Sequence, residues 1–111
     1  MNWIQVGKLE EIPRQGSRVV KTAKGEIALF RSLDDEVFAL DNRCPHKGGP
    51  LSQGIVHGKR VTCPLHSWMI ELETGNAVAP DIGCAHKHAV KVEEGVLLLK
   101  ISAEILGLRH E

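Results

Sequence analysis

Two short runs constrain this chain more than any other feature: residues 44–50 (CPHKGGP) and residues 63–66 (CPLH). Each run opens on Cys-Pro and carries one cysteine and one histidine. The four donor side chains are Cys44, His46, Cys63 and His66, and sixteen residues separate the second from the third. Thiolates and imidazoles are ligands for soft and borderline metals. The fold is therefore expected to bring two separate loops together around one centre.

The four cysteine and histidine residues indicate which kind of metal centre the chain would hold. Two thiolates with two imidazoles are the ligands of a [2Fe–2S] cluster in which two histidines replace two cysteines on one iron. We predict Cys44 and Cys63 on an inner iron, and His46 and His66 on an outer iron that faces solvent or a partner. A Cys₂His₂ zinc site is an alternative, although zinc ligand pairs are usually two to four residues apart. A degenerate, empty site is the other alternative.

Length, charge and cysteine content narrow the class of protein. A chain of 111 residues predicts one domain, residues 1–111. The fourteen basic and fourteen acidic residues cancel, which disfavours a nucleic-acid partner. The longest nearly apolar run, residues 96–99, is far too short to span a membrane, and the N-terminus does not resemble a signal peptide, so we expect a cytoplasmic protein. Three cysteines favour metal or redox use over a disulfide framework.

The hydrophobic pattern predicts an all-β domain, because short strands alternate with turn signals every eight to twelve residues. A tight hairpin over residues 55–62 lies between the two ligand runs and can bring them together in space. The other strands are expected over residues 3–6, 17–22, 26–33, 37–40, 68–72, 89–92 and 96–101. One helical turn at residues 9–12 and a short helix at 102–108 complete the pattern.

Other candidate residues have simpler explanations. The Cys84, His86 and His88 group resembles a metal site when taken alone, but it leads into a strand, so a structural role is the simpler interpretation. His57, at a hairpin turn, is expected to be solvated. Trp68 either packs in the core or shields the metal centre from water, and both roles can hold together.

The two runs give the chain a resemblance to the Rieske-type ferredoxin family over nearly its full length. Within that family it is most similar to the small subunit of assimilatory NAD(P)H-dependent nitrite reductase. The family resemblance is carried by residues 44–50 and 63–68. The similarity to that branch depends on residues 63–68, 70–75 and 83–85.

The resemblance implies a fold and a function. The fold would be three stacked antiparallel β-sheets with a cluster-binding subdomain at about residues 42–68, and residues 78–81 would form a proline-containing loop over the cluster. The function would be that of an electron-transfer subunit, not catalytic alone, in nitrate assimilation. Its partner would be a large subunit with FAD, siroheme and a [4Fe–4S] cluster that reduces nitrite to ammonia. Two alternatives are a ferredoxin that supplies an aromatic-ring dioxygenase and a non-redox binding module with structural zinc.

Two departures from the cytochrome-complex branch of the family are informative. That branch has an extra cysteine in each loop, joined in a disulfide, where this chain has Gly49 and Leu65. It also directs two hydroxyl groups at the cluster from positions where this chain has Trp68 and Ile70. Fewer hydrogen bonds to the sulfurs stabilise the reduced state less. We therefore expect a reduction potential near the low end of the Rieske range, about −150 mV or somewhat below.

Overall fold

The computed structural model describes residues 2–23, 25–45, 48–64 and 67–101. Two 3₁₀ turns occur in these residues, at Leu9–Glu11 and Leu51–Gln53. The strands in the same residues are β1 (Asn2–Lys8), β2 (Gly16–Thr22), β3 (Gly25–Arg31), β4 (Val37–Asp41), β5 (Ile55–His57), β6 (Arg60–Thr62), β7 (Met69–Glu71), β8 (Lys87–His88), β9 (Val90–Glu93) and β10 (Val96–Ile101).

The strands form three antiparallel sheets. Sheet A has the order β1-β10-β9, sheet B the order β2-β3-β4-β8, and sheet C the order β5-β6-β7. Sheet A joins the two ends of the described chain, since Asn2 of β1 pairs with Ile101 of β10. The prediction of an all-β fold with three antiparallel sheets is confirmed.

Sheet B is the middle layer, and strand β3 shows why. Its run of four buried residues has no polar face, as expected for a strand covered on both sides. Ile27 and Leu29 point into one hydrophobic core with sheet A, whereas Ala28 and Phe30 point into a second core with sheet C. Alternation along one strand therefore divides the interior into a base core (towards sheet A) and a site core (towards sheet C).

Most predicted elements are present with shifted ends. The helical turn at residues 9–12 is the 3₁₀ turn Leu9–Glu11, and the expected hairpin at 55–62 consists of β5 and β6. Strand β8 was not predicted as an element of its own; it pairs with the end of β4. The helix predicted at residues 102–108 lies outside the described residues. No helix in the described part of the chain is long and apolar enough to cross a membrane.

Candidate metal centre

The first ligand loop, residues 44–49, follows β4 and closes on its own backbone. The amide of Cys44 donates to the carbonyl of Gly49 at 2.8 Å, and the amide of Gly48 donates to the carbonyl of Cys44 at 2.8 Å. Gly48 has a φ of 75°, a left-handed conformation that glycine adopts without steric cost. These bonds fix the backbone that carries the Cys44 thiol.

The second ligand loop, residues 63–68, connects β6 to β7 and repeats this construction. The amide of Cys63 donates to the carbonyl of Trp68 at 2.6 Å, again from the first residue of the loop to the sixth. The fifth residue is again left-handed, with Ser67 at a φ of 58°. The two loops that begin with Cys-Pro therefore share a backbone hydrogen bond from the first residue to the sixth and a left-handed fifth residue.

The two loops meet in the site core. Cys44 and Cys63 are each only 1% exposed and belong to the same contiguous hydrophobic cluster, together with Leu51, Val61 and Ile70. None of the three cysteines is paired in a disulfide. The structure therefore places the two cysteines that were predicted as ligands in the same core. The two predicted histidine ligands, His46 and His66, lie outside the described residues.

A third segment, residues 77–84, rests against both loops. Its ends are tied by a bond from the amide of Ala77 to the carbonyl of Gly83 at 2.9 Å. Gly83 is the point of contact: a Cβ atom added to it would lie 3.0 Å from Pro45 Cβ and 3.8 Å from Trp68 Cζ3. The family resemblance implies a covering role for residues 78–81, and in the structure Gly83 is the residue of this segment that approaches both ligand loops.

Of the remaining cysteine and histidine candidates, His88 has a structural position, whereas Cys84 and His57 are exposed. His88 lies on strand β8 with its Nε2 atom 2.8 Å from Oδ1 of Asp41, and its ring packs edge-on at 4.7 Å from that of His86. Cys84 is exposed. Among the described residues, no group of three histidine, cysteine or acidic side chains is arranged to hold a metal ion. At the hairpin turn, exposed His57 contacts Thr62 Oγ1 at 2.8 Å.

Sequence reasoning missed one residue beside the site. Asn42, two residues before Cys44, accepts a hydrogen bond from the amide of Ser52 at 2.7 Å through its Oδ1 atom. Asparagine just outside a strand commonly bonds to nearby backbone, but here the partner is ten residues away. Only a prediction of the path of the first loop could have found this bond.

The chemistry of the described donors fits an iron–sulfur cluster. Two cysteine side chains lie in an apolar core, and cysteine thiolates are the ligands that iron–sulfur clusters require. Half-buried Trp68 packs against the same core, so both roles expected for it stay compatible with its position. The site therefore suits a buried inner iron between the two cysteine side chains.

Comparison with known proteins agrees with this geometry. Residues 2–88 match the Rieske [2Fe-2S] domain family. The ferredoxin component of naphthalene 1,2-dioxygenase/salicylate 5-hydroxylase systems from Ralstonia sp. is 34% identical over 101 residues, which cover 90% of this chain and 96% of the relative. The 3-phenylpropionate/cinnamic acid dioxygenase ferredoxin subunit from Photorhabdus laumondii is 35% identical over 106 residues, with coverage of 94% and 99%.

A solved structure shares the fold at lower identity. A candidate NADH-dependent nitrite reductase small subunit from Mycobacterium tuberculosis superimposes with a TM-score of 0.79 at 22% identity, covering 91% of this chain and 96% of that one.

The match of residues 2–88 shows that the chain belongs to the Rieske [2Fe–2S] family. It is a ferredoxin-type electron-transfer protein that carries a [2Fe–2S] cluster and works with an oxidoreductase partner.

Proposed function

We propose that Cys44, His46, Cys63 and His66 ligate the cluster, with the cysteines on the inner iron and the histidines on the outer iron. The observation that supports this is that the two cysteines are buried in one core cluster, each at the start of a loop with the same backbone hydrogen bond. The ligand loops would form a cluster-binding subdomain at about residues 42–68 within one domain of 111 residues. When bound, the cluster accepts and returns one electron at a time.

A cysteine series tests this assignment. Cys63→Ser should lose the cluster outright, because a serine replaces a thiolate ligand. Cys84→Ser is the matched control and should keep the cluster, since Cys84 is exposed and has no ligand role in the proposal. Iron and sulfide analysis of both purified variants is the measurement. A fully loaded Cys63→Ser protein would contradict the assignment.

We further propose that the protein is the electron-transfer small subunit of assimilatory NAD(P)H-dependent nitrite reductase. The residues that carry the resemblance to that branch are in contact with one another. The amide of Ala85 donates to the carbonyl of Gly75 at 2.7 Å, and Gly83 lies beside Trp68. Among these residues, Gly83 lies against both ligand loops, where it can affect how the cluster is presented to a partner.

The partner in this proposal is the large subunit that holds FAD, siroheme and a [4Fe–4S] cluster and reduces nitrite to ammonia in nitrate assimilation. The residues of this chain hold the cluster, exclude water from its cysteine side and present its histidine side. The small subunit is not catalytic alone. The proposal also implies a cytoplasmic location.

A ferredoxin that supplies an aromatic-ring dioxygenase is the second candidate. Its specific support is the near full-length similarity to the ferredoxin components of dioxygenase systems, at 34% and 35% identity. The cluster, the chain length and the lack of a disulfide suit both candidates. They differ in the partner to which the electron passes.

Identification of the partner protein separates the two candidate functions. Protein purified from its native cell should co-elute with a siroheme flavoprotein, and reduced protein should be oxidised by nitrite only when that flavoprotein is present. If the protein elutes without a partner and transfers electrons to a dioxygenase, the result would support the second candidate instead. A colourless protein with one zinc ion per chain would contradict both and indicate a binding module.

A further inference from the structure

The two ligand loops share one internal design but are closed differently at their necks, where the chain enters and leaves each loop. The second loop leaves β6 and returns in β7, and these strands pair in register, with Thr62 opposite Met69 and Val61 opposite Ile70. A β-ladder therefore holds the neck of the second loop. Opening this neck would require breaking backbone hydrogen bonds between neighbouring strands.

The first loop has no such ladder. The strand before it, β4, pairs with β3 and β8, and the chain after it forms the 3₁₀ turn Leu51–Gln53. Outside the backbone bond from Cys44 to Gly49 within the loop, the described residues on the two sides of this neck are joined by the bond from the amide of Ser52 to Oδ1 of Asn42, at 2.7 Å. A side chain here takes the place of the ladder bond that closes the second loop.

Asn42 is itself held on its other side. The backbone amide of Asn42 donates to the backbone carbonyl of Glu26 at 2.8 Å, and the side-chain Nδ2 atom donates to Oε1 of the Glu26 side chain at 3.0 Å. These two bonds fix Asn42 against β3, at the centre of sheet B. The carboxamide therefore has one orientation in which both its donor and its acceptor are used.

Ser52 is similarly held from two sides. Besides its amide bond to Asn42, its carbonyl accepts a hydrogen bond from Oγ of Ser17 at 2.6 Å. The neighbouring Leu51 is fully buried in the same core cluster as Cys44. Motion of Ser52 would thus be transmitted to the packing around the thiol.

We propose that Asn42 is a positioning residue that closes the neck of the first ligand loop and thereby determines how firmly the protein holds its cluster. The inference depends on the ligand assignment proposed above, because Cys44 and His46 lie within the closed loop. Asn42 acts through the backbone of Ser52 and does not contact the cluster in this proposal.

The test measures deuterium exchange at the segment containing the Ser52 amide, and the rate at which a chelator removes the cluster from the purified protein. Asn42→Ala should accelerate both about tenfold, the size expected for the loss of one hydrogen bond. Asn42→Gln moves the acceptor by one methylene and should accelerate both as well, which keeps the test valid if the alanine variant does not fold. Val92→Ala, in the base core, is the control for a general loss of stability and should leave both rates near wild type.

A double variant tests whether the hydrogen bonds can be restored. Asn42→Asp combined with Glu26→Gln keeps an acceptor for Ser52 and reverses the amide–carboxylate pair, so both rates should return to within about twofold of the wild-type values. Glu26→Gln alone is the reference for that pair. Wild-type rates in Asn42→Ala, or equal acceleration in Val92→Ala, would overturn the inference. A wild-type protein without a histidine-type cluster signal would contradict the proposed function. Deuterium exchange does not need the cluster, so it would still measure the contribution of the Asn42–Ser52 bond in that case.

Discussion

Gly83 approaches Pro45 so closely that a Cβ atom built on the glycine would lie 3.0 Å from the Cβ of Pro45. Gly83 also has a φ of 146°, which L-residues with a side chain rarely adopt. The close approach allows residues 77–84 to rest on the first ligand loop. Because the proline ring is rigid, an added methyl group must displace the loop itself.

Gly83→Ala should therefore destabilise the protein by about 1–3 kcal/mol and loosen the contact between residues 77–84 and the first ligand loop. Gly25→Ala is the matched control, since Gly25 has a φ of 129° and no atom within 4 Å of an added Cβ. Thermal unfolding and the reduction potential of both variants are the measurements. We expect both to lose stability through backbone strain, but only the Gly83 variant to shift the potential. Equal potentials in both would show that Gly83 does not support the site.

Ser67 carries backbone strain at the position where the first loop has Gly48. A left-handed serine costs about 1–2 kcal/mol, whereas a glycine adds about 0.4–1 kcal/mol of unfolded-state entropy. Ser67→Gly should therefore raise stability by up to about 1 kcal/mol. Ser52→Gly, in a 3₁₀ turn without a left-handed φ, should lower it. Denaturant midpoints measure both changes, and a destabilised Ser67→Gly would contradict the strain argument.

Asp35 should make the protein more sensitive to acid. Its carboxylate accepts hydrogen bonds from Arg14 and Arg31, and the one from Arg14 contributes most to holding the pKa of Asp35 below its ordinary value. A lowered folded-state pKa gives stability that is present above the unfolded pKa, about 3.9, and is lost as pH falls through the folded pKa. Asparagine tolerates the left-handed φ of 67° at this position.

Thermal unfolding from pH 7 to pH 3 tests this prediction. The Asp35→Asn variant should be less stable than wild type at pH 7, and the difference should shrink as pH falls below about 4. Both proteins share the same cluster, so acid effects on the cluster cancel in the comparison. A difference that is the same at both ends of the range would contradict the lowered pKa.

The reduction potential should be low for a Rieske protein. The positions that supply hydroxyl groups to the sulfurs in the cytochrome-complex branch hold Trp68 and the buried Ile70, and the chain contains no tyrosine. We expect a midpoint of about −150 mV or somewhat below, because hydrogen bonds to the sulfurs favour the reduced cluster. Potentiometric titration is the measurement. A clearly positive midpoint would mean that other donors bond to the sulfurs.

The sequence was sufficient for the features that depend on local pattern. The repeated Cys-Pro runs predicted two loops that meet, and Cys44 and Cys63 do share one core. The short apolar strands predicted the sheets, and the continuous run in β3 contains the signal for a middle layer, because both of its faces are apolar.

The missed features depend on how distant segments meet. Strand β8 has two residues, too few to show a period, and it forms because Ala39 and Leu40 of β4 offer a free edge to His88 and Lys87. The Asn42–Ser52 bond and the Gly83–Pro45 contact join segments that approach only after the sheets have packed. Residue type alone does not reveal such contacts, since asparagine and glycine are common in any loop.

The electron paramagnetic resonance spectrum of anaerobically prepared, dithionite-reduced protein tests the central claim most directly. Two buried thiolates on one iron and two imidazoles on the other should give the signal of a histidine-ligated [2Fe–2S] cluster, together with two irons per chain by metal analysis. A signal of the all-cysteine type, or a colourless protein with one zinc ion per chain, would contradict the claim.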